Sequence, residues 1–441
     1  MVSDPELIKQ ILDTRFGSFA DRRPPAIDVR SSFSYILPAL TGRDWERMHR
    51  NYKRVFTLKN ELKIVPKIND CCDKLIETWN KRITDKDNEI DIEQSLRVLI
   101  LDTMAWTVFG TRVSPEFTEG TRRLTQCLLP MYLIVTLFPK LTEKISRAIK
   151  LCVHTHDKYF LDYLNREITQ RDRNGSRGND FLQLFMDLRK HNSFGEPLVQ
   201  SVVDDNVIPD EDRLTEQENV WQLFTFPFWN FRSMFTALGF GLYELAVNPD
   251  IQDRLRNEIN TTIGGGGDGC GDDDNASDTI DVNSLDKLVY LEAFLLEVHR
   301  KYPVFYRLSR SVSKDTVLGS TGSTTTTGIM MPKNQIVNIP VHALHHNSSH
   351  YPEPELFDPD RFMPENLSSN INPYTYLAYG IGPRQCIAKR FSQMQLKLVL
   401  CRLIRKYEFY RLIDTTVPPV YHNNPEAVTV SPIKLGIKYV A

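Results

Sequence analysis

A cysteine directly before the last long helical segment has the surroundings of a metal ligand. Cys386 follows two glycines, Gly380 and Gly382, and precedes a run in which apolar residues recur at helical spacing. A helix N-terminus favours negative charge, and glycines let backbone amides approach a sulfur. The helix field contributes only about 0.3–1 kcal/mol, while a free cysteine has a pKa of about 8.5. A thiolate here therefore needs a metal, and the alternative is an inert buried cysteine.

Charged residues near this cysteine and earlier in the chain add to that chemistry. Arg384 lies two residues before Cys386 and could reach an anionic group on a ligand. Glu297 and Arg300 stand at positions i and i+3 of an earlier helical segment, so they share a helix face and can pair. Alone, such a pair is weak evidence of function, because solvated pairs of this kind are common.

Apolar periodicity predicts a mainly helical chain with one β-rich region. Asp44 is the expected N-cap of a helix over Trp45–Lys59 after Gly42, and Gly110 is expected to end a buried helix over Ile90–Phe109. Further helices are predicted over Gln217–Ile263, Leu285–Lys301 and Ile387–Tyr407. The Thr- and Ser-rich stretch Ser309–Asn338 is predicted to be β-rich, with a strand at Ile336–Pro340.

Two segments allow alternative interpretations. Leu128–Leu137 is apolar but too short to span a bilayer, which takes about 20 residues. It is either a buried segment or a lip that touches a membrane or an apolar substrate. Gly264–Ser277 is rich in glycine and aspartate, which predicts a flexible surface loop. A calcium site is the alternative there, although the spacing does not match an EF-hand.

Composition excludes several classes of function. The 54 basic and 56 acidic residues give a net charge of −2, so nucleic acid is not an expected partner. Seven cysteines, with no CxxC spacing, argue against a disulfide framework and a zinc site, and favour a reducing compartment. The first nine residues, MVSDPELIK, do not resemble a signal peptide or a membrane anchor.

The segment around Cys386 resembles the haem-binding signature of the cytochromes P450, Phe-Gly-x-Gly-x-Arg-x-Cys-x-Gly. Gly380, Gly382, Arg384 and Cys386 match it. Tyr379 replaces the phenylalanine, and Ala388, a small residue, replaces the last glycine. The resemblance implies that Cys386 is the axial ligand of the iron of haem b, with Gly380, Gly382 and Arg384 among the cofactor-binding residues.

Other motifs of the same family follow in the right order. Glu297 and Arg300 match its ExxR pair, and FDPDRF resembles its Pro-Glu-Arg-Phe element, with Asp360 in place of the glutamate. The resemblance implies a buried structural triad of Glu297, Arg300 and Arg361, which is tolerated only if fully paired. Three further residues fall at positions that contact the haem propionates, and these are Trp45, His49 (where the family has arginine) and Arg310.

The resemblance covers nearly the whole chain and implies the P450 prism fold, mainly α with a small β-rich part. Microsomal animal P450s of the group with the vertebrate 3A enzymes and thromboxane synthase look most similar. Residues 1–441 are expected to form a single catalytic domain that is incomplete at its N-terminus, since these relatives begin with a membrane anchor and further strands. An endoplasmic reticulum location, facing the cytoplasm, rests on this resemblance alone.

The central helix departs from the family pattern. Aligned on YELA and Asn248-Pro249, the motif Ala/Gly-Gly-x-Asp/Glu-Thr falls on Trp229–Ser233. Ser233 keeps the hydroxyl of the threonine, but Arg232 replaces the acid, and arginine cannot shuttle protons. Trp229 is either a core aromatic or a group that fills the distal pocket. Pro227 is expected to kink this helix.

The resemblance implies a monooxygenase that hydroxylates an apolar lipid, sterol or xenobiotic with dioxygen. Electrons would come from NADPH through cytochrome P450 reductase, with cytochrome b5 as a further candidate partner, because the chain has no Gly-rich dinucleotide site of its own. Ser233 and Arg232 are the expected catalytic positions. Two alternatives stay open: a haem-thiolate isomerase or dehydratase that uses a peroxide without a reductase, and a non-catalytic haem- or lipid-binding protein.

Overall fold

Helices dominate the chain, and four small antiparallel sheets accompany them. The computed structural model describes residues 1–22, 36–83, 89–112, 161–194, 202–203, 206–264, 280–319, 328–366, 371–420 and 433–440. The helices within these residues are α1 Pro5–Lys9, α2 Gly42–Val55, α3 Leu58–Arg82, α4 Ile92–Phe109, α5 over 161–174, α6 Phe181–Met186, α7 Glu216–Val247, α8 Pro249–Gly264, α9 Val282–Leu285, α10 Val289–Lys301, α11 Val341–His345 and α12 Lys389–Lys406. This confirms the predicted mainly α class.

The strands pair in short antiparallel ladders. They are β1 Glu89–Asp91, β2 Val202–Val203, β3 Asn206–Val207, β4 Leu308–Ser311, β5 Thr316–Leu318, β6 Ile329–Met331, β7 Ile336–Ile339, β8 Tyr407–Tyr410 and β9 Lys434–Tyr439. One sheet has the order β1-β9-β8, and the pairs β2-β3, β4-β7 and β5-β6 form the others. The β-rich region predicted over Ser309–Asn338 is confirmed, whereas β1, β2 and β3 were not predicted.

Several predicted helix boundaries were wrong, and local backbone chemistry explains them. α2 begins at Gly42 rather than Trp45, with Thr41 as its N-cap, because the Gly42 amide donates to the carboxylate of the distant Asp21 at 3.2 Å. The chain leaves this helix at Phe56, and α3 begins behind Thr57, whose side chain accepts from the Asn60 amide.

The long pattern predicted over Gln217–Ile263 is two helices. Asn248 adopts a non-helical conformation (φ −122°, ψ 80°), as expected for a residue before proline. α7 runs unbroken through Pro227, so this proline does not end the helix. The helix predicted over Leu285–Lys301 begins later, at Val289, and is α10, because Leu285 is the last residue of the short α9. The buried helix α4 ends at Gly110 as predicted.

Two hydrophobic clusters position the Cys386 segment. The larger one packs α3, α4, α7, α10 and α12 against one another, and includes Phe391, Leu398 and Cys401 of the apolar face predicted for α12. Lys397 and Arg402 of the same helix are also buried, because they pair with Glu292 and Asp73. The second cluster joins the N-terminal residues to β7 and to the residues before Cys386.

Two sequence interpretations lie outside the described residues. Leu128–Leu137 falls in one such segment, and all of the Gly/Asp-rich loop after Gly264 falls in another; Gly264 itself is the last residue of α8. Within the described part of the chain, no helix is both long and apolar enough to cross a membrane.

Candidate functional site

The backbone before Cys386 forms a tight, glycine-dependent loop. Gly380 and Gly382 have φ values of +68° and +76°, a region that side chains disfavour. A Cβ on Gly382 would also lie only 2.0 Å from the carbonyl oxygen of Leu12, which packs against the loop. The Cys386 amide donates to the carbonyl of Tyr379 at 2.9 Å, which closes the loop just before α12 begins.

The Cys386 thiol is open to solvent and yet desolvated by the surrounding protein. Four cysteines lie in the described residues, and Cys386 is the exposed one. Nevertheless, burial raises the pKa of its thiol, while the Ala388 amide and the charges of Arg22 and Lys389 lower it. Solvent access together with a desolvated environment is expected of a sulfur that lines an internal cavity rather than the outer surface.

Two arginines predicted to bind an anion are buried. Arg310, on β4, is 2% exposed and makes one hydrogen bond, from Nη1 to the carbonyl of its neighbour Ser309 at 2.9 Å. Arg384 is also buried; its Nη2 donates to the Leu40 carbonyl at 2.8 Å and lies 3.6 Å from Asp21. The Nε atom of each, and Nη1 of Arg384, is buried without a hydrogen-bond partner.

A third arginine joins them that the sequence analysis missed. Arg22 has a buried Nε without a partner, and its charge acts on Cys386, Arg310 and Arg384. Burial, with repulsion from Arg22 and Arg384, lowers the pKa of Arg310 to about 9. Burial and Arg22 lower that of Arg384 to about 10. We call Arg22, Arg310 and Arg384 the arginine cluster; it is a concentration of buried positive charge with unmade hydrogen bonds.

Trp45 and His49 flank the arginine cluster on α2. The Arg384 guanidinium lies 4.2 Å from the centre of the Trp45 ring, and the His49 ring stacks on Trp45 at 4.9 Å. Burial and the charges of Lys53 and Arg384 lower the pKa of His49 to about 4. His49 is therefore neutral at pH 7 and can only donate or accept a hydrogen bond there. Arg50, its neighbour, pairs with Asp212 instead, at 2.6 Å.

Glu297, Arg300 and Arg361 lie together as the resemblance implied. Arg300 and Glu297 are fully buried on α10 and make a two-pronged ion pair with N–O distances of 2.6 and 2.8 Å. Arg361 Nε is 3.6 Å from Glu297, and the Asp358 amide donates to the same carboxylate at 2.9 Å. Arg300 also donates to the His345 carbonyl at 2.8 Å. These contacts tie α10 to the segments that lead to Cys386.

The residues of the altered central motif lie on α7. Arg232 and Ser233 are half-buried, and the charge of Arg232 acts on the phenol of Tyr306, just before β4. Phe231 and Phe235 stack with ring centres 5.9 Å apart. The side chain of Trp229 lies outside the described part of the structure, so its two interpretations stay open.

The site's residues fit the haem that the resemblance implies. Haem carries two propionate carboxylates, and the arginine cluster offers buried guanidinium groups whose free N–H donors require an anion. Cys386 supplies one thiolate. The described residues contain no group of three or more His, Cys, Asp or Glu side chains that could hold a metal ion. A macrocycle that brings four nitrogen ligands of its own needs only one from the protein.

Comparison with known proteins agrees with this geometry. The cytochrome P450 family model matches residues 1–438. Cytochrome P450 3A41 of Mus musculus is 30% identical over 433 residues, which cover 95% of this chain and 78% of the relative. Probable cytochrome P450 6a13 of Drosophila melanogaster is 30% identical over 426 residues, with the same two shares. Thromboxane-A synthase of Sus scrofa is 28% identical over 447 residues, 95% of this chain and 79% of the relative.

A match along almost the whole chain, relatives at this identity, and a cysteine thiol beside buried, anion-seeking arginines lead to one conclusion: the chain belongs to the cytochrome P450 family.

Proposed function

We propose that this protein hydroxylates an apolar lipid, sterol or xenobiotic at the cytoplasmic face of the endoplasmic reticulum membrane. The observation that carries the proposal is the exposed yet desolvated thiol of Cys386 beside the arginine cluster. Electrons would come from NADPH–cytochrome P450 reductase, with cytochrome b5 as a further donor. The reaction class and the cofactor follow from the family membership: the chain is a monooxygenase that uses haem b and takes NADPH electrons through a reductase.

Each part of the site has a distinct task. When bound, haem supplies dioxygen activation and transfer of one oxygen atom to the substrate. Cys386 would hold the iron as a thiolate, whose electron donation would favour cleavage of the O–O bond. The arginine cluster would neutralise the propionates, and this would relieve the mutual repulsion of its own cations. The Glu297–Arg300 pair holds α10 against the segments around Cys386.

An apolar substrate is supported by the central helix and by the relatives. Phe231 and Phe235 are half-buried and stack on one face of α7, close to the motif that the family places over the iron. The matched relatives are named for P450 families 3A and 6a. The proposed location at the endoplasmic reticulum rests on the resemblance to microsomal enzymes.

The hydroxylation chemistry requires proton delivery, and the residues of the central motif are poorly suited to it. Cleavage of an O–O bond to release water takes protons that a positioned acid and alcohol normally relay. Ser233 offers the alcohol, but Arg232 stands where the acid is expected and stays protonated. Arg232 cannot pass protons to Ser233, so slow turnover with dioxygen is expected.

This substitution supports a second candidate, the rearrangement or dehydration of a hydroperoxide without a reductase. A hydroperoxide already contains a reduced O–O bond, so no proton relay to dioxygen is needed. The cation of Arg232 would also favour an oxygen-rich or anionic substrate. One matched relative is named thromboxane-A synthase. A non-catalytic role, the third alternative, would be supported by the Trp229 side chain closing the distal pocket.

The first experiment is the absorbance spectrum of the dithionite-reduced, carbon monoxide-bound protein. We expect the strongly red-shifted Soret band typical of thiolate ligation, and its loss in Cys386→Ser. Cys401→Ser is the matched control, because Cys401 is buried in the core of α12. A band of neutral-ligand type in the unmodified protein, or no haem uptake, would remove the basis of the proposal.

The second experiment separates the two enzymatic candidates. The haem-loaded protein is assayed with reductase, NADPH and dioxygen, and separately with an organic hydroperoxide alone. Hydroxylation identifies the first candidate, and Arg232→Glu should then raise its rate about 10-fold or more, because it restores an acid. Rearrangement of the hydroperoxide, with no gain in Arg232→Glu, identifies the second. No ligand-induced shift of the haem spectrum with any apolar compound would favour the non-catalytic role.

A further inference from the structure

The phenol of Tyr379 makes a hydrogen bond that the usual phenylalanine of the haem signature cannot make. Its hydroxyl donates to Nε2 of His299, on α10, at 3.1 Å. The other ring nitrogen, Nδ1, donates to the Leu295 carbonyl at 2.6 Å. Burial lowers the pKa of His299, so the imidazole is neutral, with one donor and one acceptor nitrogen. Both nitrogens are satisfied, which fixes the tautomer and the orientation of the ring.

The same tyrosine contacts the two structures that flank the sulfur. Its carbonyl accepts the Cys386 amide at 2.9 Å. Its ring centre lies 5.8 Å from Nζ of Lys389, the first residue of α12. Tyr379 therefore links α10, the cysteine loop and the first turn of α12.

The first turn of α12 matters because its amide acts on the sulfur. The Ala388 amide, at the N-cap of α12, lies close enough to the sulfur to lower the pKa of the Cys386 thiol. Hydrogen bonds to a thiolate ligand withdraw electron density from it and raise the reduction potential of the metal. A small movement of α12 relative to the loop would lengthen this N–H···S contact.

We propose that Tyr379 and His299 form a positioning pair that keeps the Cys386 loop in register with α12 and so sets the donor strength of the thiolate. Neither residue is catalytic, since they act through the backbone and through the Ala388 amide. The pair adds to the thiolate ligation of the family a second, side-chain anchor that depends on a hydroxyl at position 379.

Tyr376 provides a matched control within the same segment. It precedes Tyr379 by three residues, and its hydroxyl donates to the Leu296 carbonyl of α10 at 3.1 Å. Loss of either hydroxyl removes one hydrogen bond between the same segment and the same helix. The Cys386 amide, however, donates to the carbonyl of Tyr379 and not to that of Tyr376. A merely structural role predicts similar effects from the two substitutions.

The test measures the iron reduction potential of the haem-loaded full chain in Tyr379→Phe, His299→Leu, the double variant and Tyr376→Phe. We expect Tyr379→Phe to make the potential more negative, by an amount equal to about a threefold to tenfold change in the reduced-to-oxidised ratio. The double variant should shift no further than His299→Leu alone, because the two residues act as one unit. Tyr376→Phe should leave the potential unchanged.

His299→Gln is the rescue variant, because its side-chain oxygen can accept from the Tyr379 hydroxyl. It should recover at least half of the shift seen in His299→Leu. Should Tyr379→Phe not take up haem, the comparison of His299→Leu with His299→Gln carries the test with the tyrosine intact. Equal potentials in Tyr379→Phe and Tyr376→Phe, or additive shifts in the double variant, would overturn the proposal.

Discussion

Arg310→Met should stabilise the haem-free protein and weaken its affinity for haem. Arg310 is buried with an unpartnered Nε, close enough to Arg22 and Arg384 for their charges to lower its pKa. Without an anion, the charged head of Arg310 is desolvated and repelled, and only one hydrogen bond compensates. Methionine keeps the apolar stem and removes the charge.

The pKa of Arg310 allows the size of this effect to be worked out. A fall from 12.5 to about 9 corresponds to about 5 kcal/mol against the charged form, at about 1.4 kcal/mol per pKa unit. Water and relaxation in the open site reduce that figure, so a gain of about 2 kcal/mol in unfolding free energy is expected in the haem-free protein. Truncating one partner of a buried charge pair costs about 2–5 kcal/mol. Haem affinity should therefore fall at least about 30-fold.

Urea unfolding of the haem-free protein and titration with haem measure the two effects. Arg300→Met is the matched control, because Arg300 is equally buried but fully ion-paired with Glu297. It should destabilise the haem-free protein by about 3–5 kcal/mol. If Arg310→Met destabilises the haem-free protein as Arg300→Met does, or binds haem as tightly as the unmodified chain, the reasoning about the arginine cluster is refuted.

Two further predictions concern the packing around the cysteine loop. Gly382→Ala should lower the unfolding free energy by about 3 kcal/mol or more, because the new Cβ would clash with the Leu12 carbonyl. In Gly380→Ala the new Cβ would meet nothing closer than 3.9 Å, so the loss should be only about 1–2 kcal/mol. Urea unfolding measures both, and equal losses would contradict the close contact at Gly382. His345 accepts from the Leu377 amide at 2.9 Å, and burial lowers its pKa to about 3. Its stabilising contribution is complete above its unfolded pKa of about 6.5. This contribution is lost as pH falls from there towards 3, because the unfolded chain binds a proton that the folded protein does not. The unfolding free energy, measured by urea unfolding at each pH, should therefore drop by about 2 kcal/mol between pH 6.5 and 5, and by less in His345→Gln.

Sequence reasoning was most successful where the relevant residues are close together in the chain. The glycines before Cys386 and the pair Glu297 and Arg300 lie within one turn or loop, so spacing alone predicts their geometry. The start of α2 was wrong because its first amide is capped by Asp21, which is distant in sequence. Likewise, Lys397 is buried because Glu292, on another helix, pairs with it.

Arg22 escaped prediction for the same reason. It stands in the run Asp-Arg-Arg-Pro, which reads as an ordinary charged surface segment. Its role in the site depends on its proximity to Arg310 and Arg384, which lie hundreds of residues further along the chain. The only available signal was the pair of adjacent arginines in the DRRP run itself. The pairing of Tyr379 with His299 is equally invisible, since no periodicity joins a loop to a helix face.

The contacts of the first twenty residues have a consequence for the order in which the chain folds. Val2 donates to the Asn338 carbonyl, the Gly319 amide donates to Gln10, and Tyr374 donates to Asp13, all at 2.8–3.1 Å. Every one of these partners is synthesised hundreds of residues later. At about 5–20 residues per second, the segment waits on the order of 20–70 seconds on the ribosome for the loop that holds Cys386. The cysteine loop can therefore reach its final conformation only when synthesis of the chain is nearly complete, and the cofactor site cannot form before then.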